Sequence, residues 1–199
     1  MNYKLLLILF LLVSCILVLK FLILGNTRSN FSVNKDRIGE YKITNIKKNI
    51  NKSEYPIIVN FYTGDNGYEK VVVHLIDSLK KLNLPYYIVE IDSKGDKWEK
   101  ICQQKPYVLL KVMEEYPNKN IVWLDADAVV EKMPTEFLKI KKDIGICYKG
   151  TQLCSGTIFL KNNNVCRNII DDWIKENNKS AKVWDQVTLD KVLNKKYKE

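Results

Sequence analysis

Two carboxylates, Asp125 and Asp127, are separated by a single alanine. They lie within residues 121–130, a run that is otherwise apolar and rich in β-branched side chains. Burying either charge is costly unless a cation compensates it. Carboxylate oxygens suit Mg²⁺ or Mn²⁺, which commonly share their coordination with substrate phosphates. The pair therefore predicts a divalent-metal site at a strand end, and a structural turn is the alternative.

The segments before this pair alternate between strand-like and helix-like patterns. Short β-rich runs predict strands at residues 57–62, 84–91 and 121 onwards. Apolar residues at helical spacing predict helices over residues 68–82 and from Pro106 to just before Tyr116. This alternation indicates βαβ units and predicts an α/β fold with a mainly parallel central sheet. Ligands bind beyond the carboxyl ends of the strands in such sheets, which is where the acidic pair falls.

The segments after the pair continue the α/β pattern. Strands are predicted at residues 144–148 and 156–161, and helices at residues 165–177 and 183–193. No internal repeat is visible. We therefore assign residues 56–199 to one globular domain.

The N-terminal part has a different composition. Within residues 5–24 only Ser14, Cys15 and Lys20 are not apolar, which is long enough for a membrane-spanning helix. We predict a transmembrane signal anchor over residues 1–25, followed by a polar stem or linker over residues 26–55. A cleaved signal peptide is the alternative, and the residues up to Cys15 also fit a bacterial lipoprotein cleavage box.

Composition excludes several function classes. The net charge of +9 comes mostly from lysines scattered along the chain, so nothing indicates nucleic-acid binding. The five cysteines form no Cys-x-x-Cys pair and His74 is the only histidine, which argues against zinc binding and Cys-His catalysis. Cys147 and Cys154 would close a short loop under oxidising conditions, but the sequence leaves that pairing open.

Several short segments occur in an order that is typical of one enzyme family. They are Phe61-Tyr62-Thr63, Lys105-Pro106, Trp123-Leu124-Asp125-Ala126-Asp127, Ser155-Gly156-Thr157 and Asp185-Gln186. In these segments the chain resembles the GT-A glycosyltransferases with a DXD motif, and it is most similar to the glycogenin-like and plant xylosyltransferase-like families. The resemblance implies a GT-A fold and sugar transfer from a nucleotide-sugar, expected to be a UDP-sugar, to a hydroxyl of a glycan or protein acceptor. It also implies retention of anomeric configuration.

The resemblance implies roles around the nucleotide. Asp125 would lie near the ribose and the metal, and Asp127 would bind the Mn²⁺ or Mg²⁺ that bridges the diphosphate. Tyr62 and Thr63 match positions at the nucleotide base, although a strand-end core tyrosine is an equal alternative for Tyr62. Lys105 matches a basic residue near the nucleotide, where a solvated lysine is the alternative.

Further roles concern the donor sugar. Ser155 and Gly156 match the segment that lies against this sugar, where a glycine permits close backbone approach. Asp185 and Gln186 match an acidic-amide pair that faces the sugar, and we assign them as the catalytic residues. Trp184 is either part of the acceptor face or a core residue.

One departure from the family concerns the metal ligands. Metal sites of the glycogenin-like kind gain a histidine near the C-terminus, but no histidine follows Asp185 and His74 falls on an early helix. Water and phosphates would then complete the coordination, or the enzyme is a minimal or impaired version.

Two rival functions follow from the same residues. A non-catalytic anchored module would retain the fold and bind glycan or a partner. A nucleotide-sugar pyrophosphorylase would need a basic phosphate loop after the first strand, and residues 63–67 contain neither Arg nor Lys.

The expected location is a single-pass, type II membrane protein of the secretory pathway, such as the Golgi or ER of a eukaryotic cell or virus host. The flanking charges oppose this orientation, because basic residues such as Arg28 and Arg37 follow the apolar run. We expect the type II orientation nevertheless, because anchored transferases of the secretory pathway carry their catalytic domain in the lumen.

Overall fold

The computed structural model describes residues 34–64 and 67–197. The strands are β1 (Arg37–Ile38), β2 (Tyr41–Asn49), β3 (Ile57–Thr63), β4 (Tyr86–Ile91), β5 (Ile121–Leu124), β6 (Ile144–Lys149) and β7 (Gln152–Leu160). The helices are α1 (Tyr68–Lys81), α2 (Trp98–Cys102), α3 (Lys105–Glu115), α4 (Glu136–Lys139), α5 (Asn164–Asn177) and α6 (Asp185–Lys196).

Within these residues, seven strands form one sheet in the order β1-β2-β4-β3-β5-β7-β6. The central strands β4, β3 and β5 are parallel. The outer pairs β2–β4, β5–β7 and β6–β7 are antiparallel. The α/β prediction is confirmed, but the prediction of a mainly parallel sheet is wrong. The sheet is mixed because β6 and β7 form a hairpin whose second strand returns beside β5.

Helices cover both faces of the sheet. Every residue of β3 is buried, and neighbouring residues pack on opposite sides, as strand geometry requires. Ile58 packs with α1 residues such as Leu75, whereas Val59 packs with α3, α5 and α6 residues such as Val108 and Trp173. This two-sided burial explains why β3 is mostly apolar on both sides rather than alternating between apolar and polar residues.

Part of the expected linker belongs to the sheet. β2 pairs with β4 from Ile43 opposite Ile91 to Asn49 opposite Tyr86. The Nζ of the buried Lys111 donates to the backbone oxygens of Asn34, at 3.3 Å, and Lys35, at 3.0 Å. The linker prediction was therefore wrong for residues 37–49. Only Tyr41 of β2 is fully buried, and a β-bulge between Ile43 and Asn45 interrupts the apolar alternation that would have revealed the strand.

The other predicted strands and helices are present with shifted ends, and the short helices α2 and α4 were not predicted. The predicted membrane anchor over residues 1–25 lies outside the described residues. No helix in residues 34–64 and 67–197 is both long and apolar enough to cross a bilayer.

Candidate active site

A cleft of about 240 Å³ opens where β3 and β5 end, and it is also bordered by α2, α3, β7 and α6. Eight of the nine predicted site residues line it: Tyr62, Thr63, Lys105, Asp125, Asp127, Ser155, Asp185 and Gln186. The ninth, Gly156, lies against the side chain of Asp125. The structure thus brings together residues that are far apart in the chain.

Asp125 follows directly after β5 and is held from several directions. Its backbone N–H donates to the Gly156 oxygen at 3.0 Å. Its Oδ1 accepts from Trp123 Nε1 at 2.6 Å and from Lys105 Nζ at 3.3 Å. A Cβ atom on residue 156 would lie 3.0 Å from Asp125 Oδ2, so glycine leaves the space that this carboxylate needs. Oδ1 is therefore fixed by the protein, and about half of the side chain stays exposed to the cleft.

Lys105, the first residue of α3, is the centre of a buried polar cluster. Its Nζ lies 3.0 Å from Asp185 Oδ2 and 3.3 Å from Asp125 Oδ1. It also donates to Ser155, at 3.0 Å to the backbone oxygen and 3.1 Å to Oγ. The ammonium group lies 4.9 Å from the centre of the Trp123 ring. These contacts satisfy a charge that burial would otherwise make costly.

The pKa of Lys105 is governed by two opposing influences. Burial is the largest and lowers the pKa, but the carboxylates of Asp185 and Asp125 outweigh it, so the pKa ends above its ordinary value. Lys105 therefore stays protonated at neutral pH. Burial also raises the pKa of the nearby Cys102 thiol to about 12. This cysteine is consequently not a thiolate nucleophile at neutral pH.

Asp185 begins α6 and is almost completely buried. Besides Lys105, its Oδ2 accepts from Ser155 Oγ at 3.1 Å. The Ser155 N–H donates to Gln186 Oε1 at 3.3 Å, and Trp173 Nε1 donates to the Asp185 backbone oxygen at 2.9 Å. The β7 segment and the start of α6 are therefore locked together beside the cleft.

The two residues predicted at the nucleotide base lie at the end of β3. Tyr62 and Thr63 are only 2% and 3% exposed. The Tyr62 hydroxyl donates to Glu90 Oε2 at 3.0 Å, and Lys47 Nζ lies 5.3 Å from the centre of its ring. Tyr62 is thus packed beneath the cleft. This position fits a core tyrosine at a strand end, and it also adjoins the cleft in which the nucleotide base is predicted to bind.

The cleft also contains residues that the sequence analysis did not assign to it. Tyr68 and Trp98 are large, partly exposed aromatic residues on its lining. Asn60 is fully buried there, and it donates to the Leu124 backbone oxygen at 2.5 Å. Its Oδ1 is buried and has no hydrogen-bond partner in the described part of the chain. Asn60 and Trp98 carried no signal, because neither lies in a recognisable motif.

The charges that line the cleft favour a divalent cation. They comprise one lysine, Lys105, and three carboxylates, Asp125, Asp127 and Asp185, so the lining carries a net negative charge on a chain of net charge +9. Asp127 is exposed at the surface. The donor set of two accessible carboxylates fits Mg²⁺ or Mn²⁺ when substrate phosphates and water complete the coordination.

A protein-only metal cage is not formed. Among the described residues, no group of three or more His, Cys, Asp or Glu side chains could hold a metal ion. His74 is exposed on α1 and does not line the cleft. Of the residues that the structure describes, Asp125 and Asp127 would hold the ion, with substrate phosphates and water as further ligands.

A mixed α/β sheet with an acidic cleft beyond its parallel strands is typical of enzymes that bind nucleotides. The sequence pattern of one family, described as nucleotide-diphospho-sugar transferase, matches residues 69–199. The chain belongs to this family and is a glycosyltransferase, which confirms the class of enzyme predicted from the sequence.

A solved structure shares the fold. It is a crystal structure described as that of a glycosyltransferase involved in the glycosylation of the major capsid of PBCV-1. The two chains are 12% identical and have a TM-score of 0.55, and the match covers 71% of this chain and 76% of the other. At this identity the match supports the fold alone. No curated protein matches the chain.

Proposed function

We propose that the chain transfers a sugar from a UDP-sugar to a hydroxyl group of a glycan or protein acceptor, with retention of configuration. Family membership supports a nucleotide-sugar donor in general. The observation that carries the proposal is the cluster in which the buried Lys105 contacts both Asp125 and Asp185, with Asp127 on the same cleft. A preformed acidic cleft of this kind suits a metal-bridged diphosphate.

A divalent ion is part of this proposal. When bound, Mn²⁺ or Mg²⁺ would neutralise negative charge on the departing nucleoside diphosphate. Asp125 and Asp127 are the residues that would hold it.

The other residues of the cleft act by holding groups in place. Lys105 fixes Asp185 and Asp125, so these carboxylates need little reorganisation during the reaction. Asp185 and Gln186 would face the donor sugar from the start of α6. Because Cys102 stays protonated and His74 lies outside the cleft, the acceptor hydroxyl would pass its proton to the departing diphosphate oxygen.

The test is donor turnover by the whole chain on a panel of nucleotide-sugars with Mn²⁺. Asp127→Ala is expected to lower UDP-sugar hydrolysis by about a hundredfold, as when a charge-stabilising group is removed from an active site. Asp77→Ala, which removes an exposed acid on α1, is the matched control and is expected to resemble the wild type. Equal turnover by Asp127→Ala and the wild type would refute the proposal.

The cellular location is a separate proposal. We propose a lumenal catalytic domain in the secretory pathway, attached to the membrane by the apolar run over residues 5–24, which supports the attachment. Alkaline extraction and protease protection of isolated membranes test it. Release by alkali, or digestion of the domain in intact vesicles, would contradict it.

A further inference from the structure

Two half-exposed tryptophans lie side by side on the lining of the candidate active site. Trp98 is the first residue of α2 and is 49% exposed, and Trp184 precedes α6 and is 48% exposed. Tryptophan is usually largely buried, because its exposed surface is mostly apolar. Two indoles left open beside Asp125 and Asp185 therefore indicate a surface that a ligand covers.

The two rings have a defined arrangement. Their centroids are 5.3 Å apart and their planes meet at 85°, the edge-to-face geometry that aromatic pairs prefer. An edge-to-face contact covers part of one ring face and leaves the remaining faces open. The tryptophan pair thus forms a right-angled corner of apolar surface at the cleft.

A buried amide holds the two segments that carry these rings. Gln103 follows α2, and its Nε2 donates to the backbone oxygens of Ser180, at 2.7 Å, and Val183, at 2.6 Å. Asn177 Nδ2 donates to the Gln103 backbone oxygen at 3.1 Å. Because Val183 directly precedes Trp184, these bonds tie α2 to the start of α6. The corner is therefore preformed, and ligand binding would lose little conformational entropy there.

We infer that the tryptophan pair is the acceptor subsite and that the acceptor is a saccharide, whose ring lies against the indoles. This inference rests on the proposed function and names its acceptor class. A pyranose ring combines an apolar face of C–H groups with a rim of hydroxyls, which suits an indole face beside polar groups. Trp184 is bonded directly to Asp185, so a sugar held there is presented next to the acid that would face the donor.

A nucleobase is the competing occupant, because every base also has a flat face that stacks on aromatic rings. The family resemblance implies that the base lies elsewhere, at Tyr62 and Thr63 where β3 ends. With the base at β3, the tryptophan pair remains for the other substrate. The two assignments differ in one measurable respect: the pair contributes to acceptor affinity and not to UDP affinity.

The experiment compares the full 199-residue chain with Trp98→Ala, Trp184→Ala and Tyr148→Ala. Tyr148 is 51% exposed on β6 and is absent from the cleft lining, so its variant controls for loss of an exposed ring. The probes are UDP with Mn²⁺, followed by calorimetry, and an array of immobilised mono- to tetrasaccharides in the presence of UDP and Mn²⁺. Trp98→Phe and Trp184→Phe keep a flat ring and distinguish stacking from collapse of the site.

The tryptophan-to-alanine variants are expected to lose glycan retention by about tenfold or more, the loss seen when a stacking ring is removed, while UDP affinity stays within about twofold. The phenylalanine variants should keep part of the retention, and Tyr148→Ala all of it. Weakened UDP binding in the alanine variants would place the nucleotide on the pair and overturn the inference. So would a wild type that binds UDP but retains no glycan, whereas a wild type that fails to bind UDP overturns the proposed function as well.

Discussion

Lys105 is a buried lysine whose ammonium group contacts the carboxylates of Asp125 and Asp185. Similarity to the family indicated a basic residue near the nucleotide, but no pattern around Lys105 indicated that it is buried. Its burial follows from the meeting of α3, β7 and α6, which lie far apart in the chain. Lys105 is therefore a positioning residue that holds the acids of the cleft.

Removing Lys105 should destabilise the fold. In Lys105→Met, the nearly buried Asp185 loses its cation, and an unpaired buried charge typically costs about 3–5 kcal/mol. Chemical denaturation of Lys105→Met measures this change in the free energy of unfolding. The control is Lys161→Met, which breaks a partly exposed ion pair with Asp143 and should cost no more than about 1 kcal/mol. Equal stability of the two variants would show that the cluster does not hold the site together.

Gly156 is expected to be needed because it leaves space for the Asp125 carboxylate, and not because of its backbone conformation. In Gly156→Ala, the new Cβ would lie 3.0 Å from Asp125 Oδ2 and displace this carboxylate. A small misplacement of an active-site group can lower activity by about a hundredfold. The measurement is kcat/KM for UDP-sugar hydrolysis, with Gly145→Ala as a control that crowds Ile140 and Phe159 instead. Similar losses of activity in both variants would mean that crowding alone, and not Asp125, is responsible.

The hairpin of β6 and β7 carries the Ser155 and Gly156 segment of the cleft. On this hairpin Cys147 lies directly opposite Cys154, and both are free thiols. Opposed residues of antiparallel strands have Cα atoms about 4.5–5.5 Å apart, within the range of about 4.4–6.8 Å that a disulfide spans. The structure therefore supports the pairing that the sequence left open.

Oxidised glutathione at pH 8 is expected to join these two cysteines. Both thiols lose their hydrogens as the S–S bond forms, and the glutathione disulfide is reduced to two thiols. Burial raises the pKa of Cys102 and Cys166 to about 12, so these two should stay reduced. Peptide mapping with Cys147→Ser as the control detects the crosslink. Glutathione adducts on Cys147 or Cys154 without a bond between them would contradict the prediction.

At the scale of the elements, the sequence predicted the strands and helices whose apolar residues follow a regular pattern. It did not predict the elements that lack such a pattern. The strands β3 and β5 are apolar runs, and α1 and α5 have apolar residues at helical spacing, so all four were recognised. β2 is mostly exposed and polar, and it is held by hydrogen bonds to β4 and by Tyr41, Ile43 and Ile46, which pack against the core. The direction of β7 depends on a hairpin turn, which periodicity does not encode.

Removing β2 should have a large effect on the folded domain. A chain of residues 56–199 would expose the edge of β4, whose residues are almost all buried, and such an apolar edge promotes aggregation. A chain of residues 34–199 keeps β2 and the contacts of Lys111 with Asn34 and Lys35. Size-exclusion chromatography and circular dichroism should find the longer chain folded and the shorter one aggregated. A folded, monomeric shorter chain would show that β2 is dispensable.

At the scale of the molecule, a basic chain carries one acidic cleft. The net charge of +9 would attract a nucleotide-sugar at long range, whereas the cleft lining carries three carboxylates and one lysine. In the proposed function, a divalent cation would join this acidic cleft to the diphosphate, which also carries negative charge. From the sequence we predicted the role of the acidic pair, its position at a strand end and the family. That Lys105 brings Asp185 close to Asp125 is visible only in the three-dimensional structure.

The central claim is that Asp125 and Asp127 bind a metal-bridged nucleotide diphosphate. Calorimetric titration of UDP into the wild type and Asp127→Ala, each with Mn²⁺ and with EDTA, tests it most directly. We expect Mn²⁺ to strengthen UDP binding to the wild type by at least about tenfold, and this gain to be lost in Asp127→Ala. UDP binding to the wild type that is unchanged by Mn²⁺, or an Asp127→Ala variant that keeps the full gain, would contradict the claim.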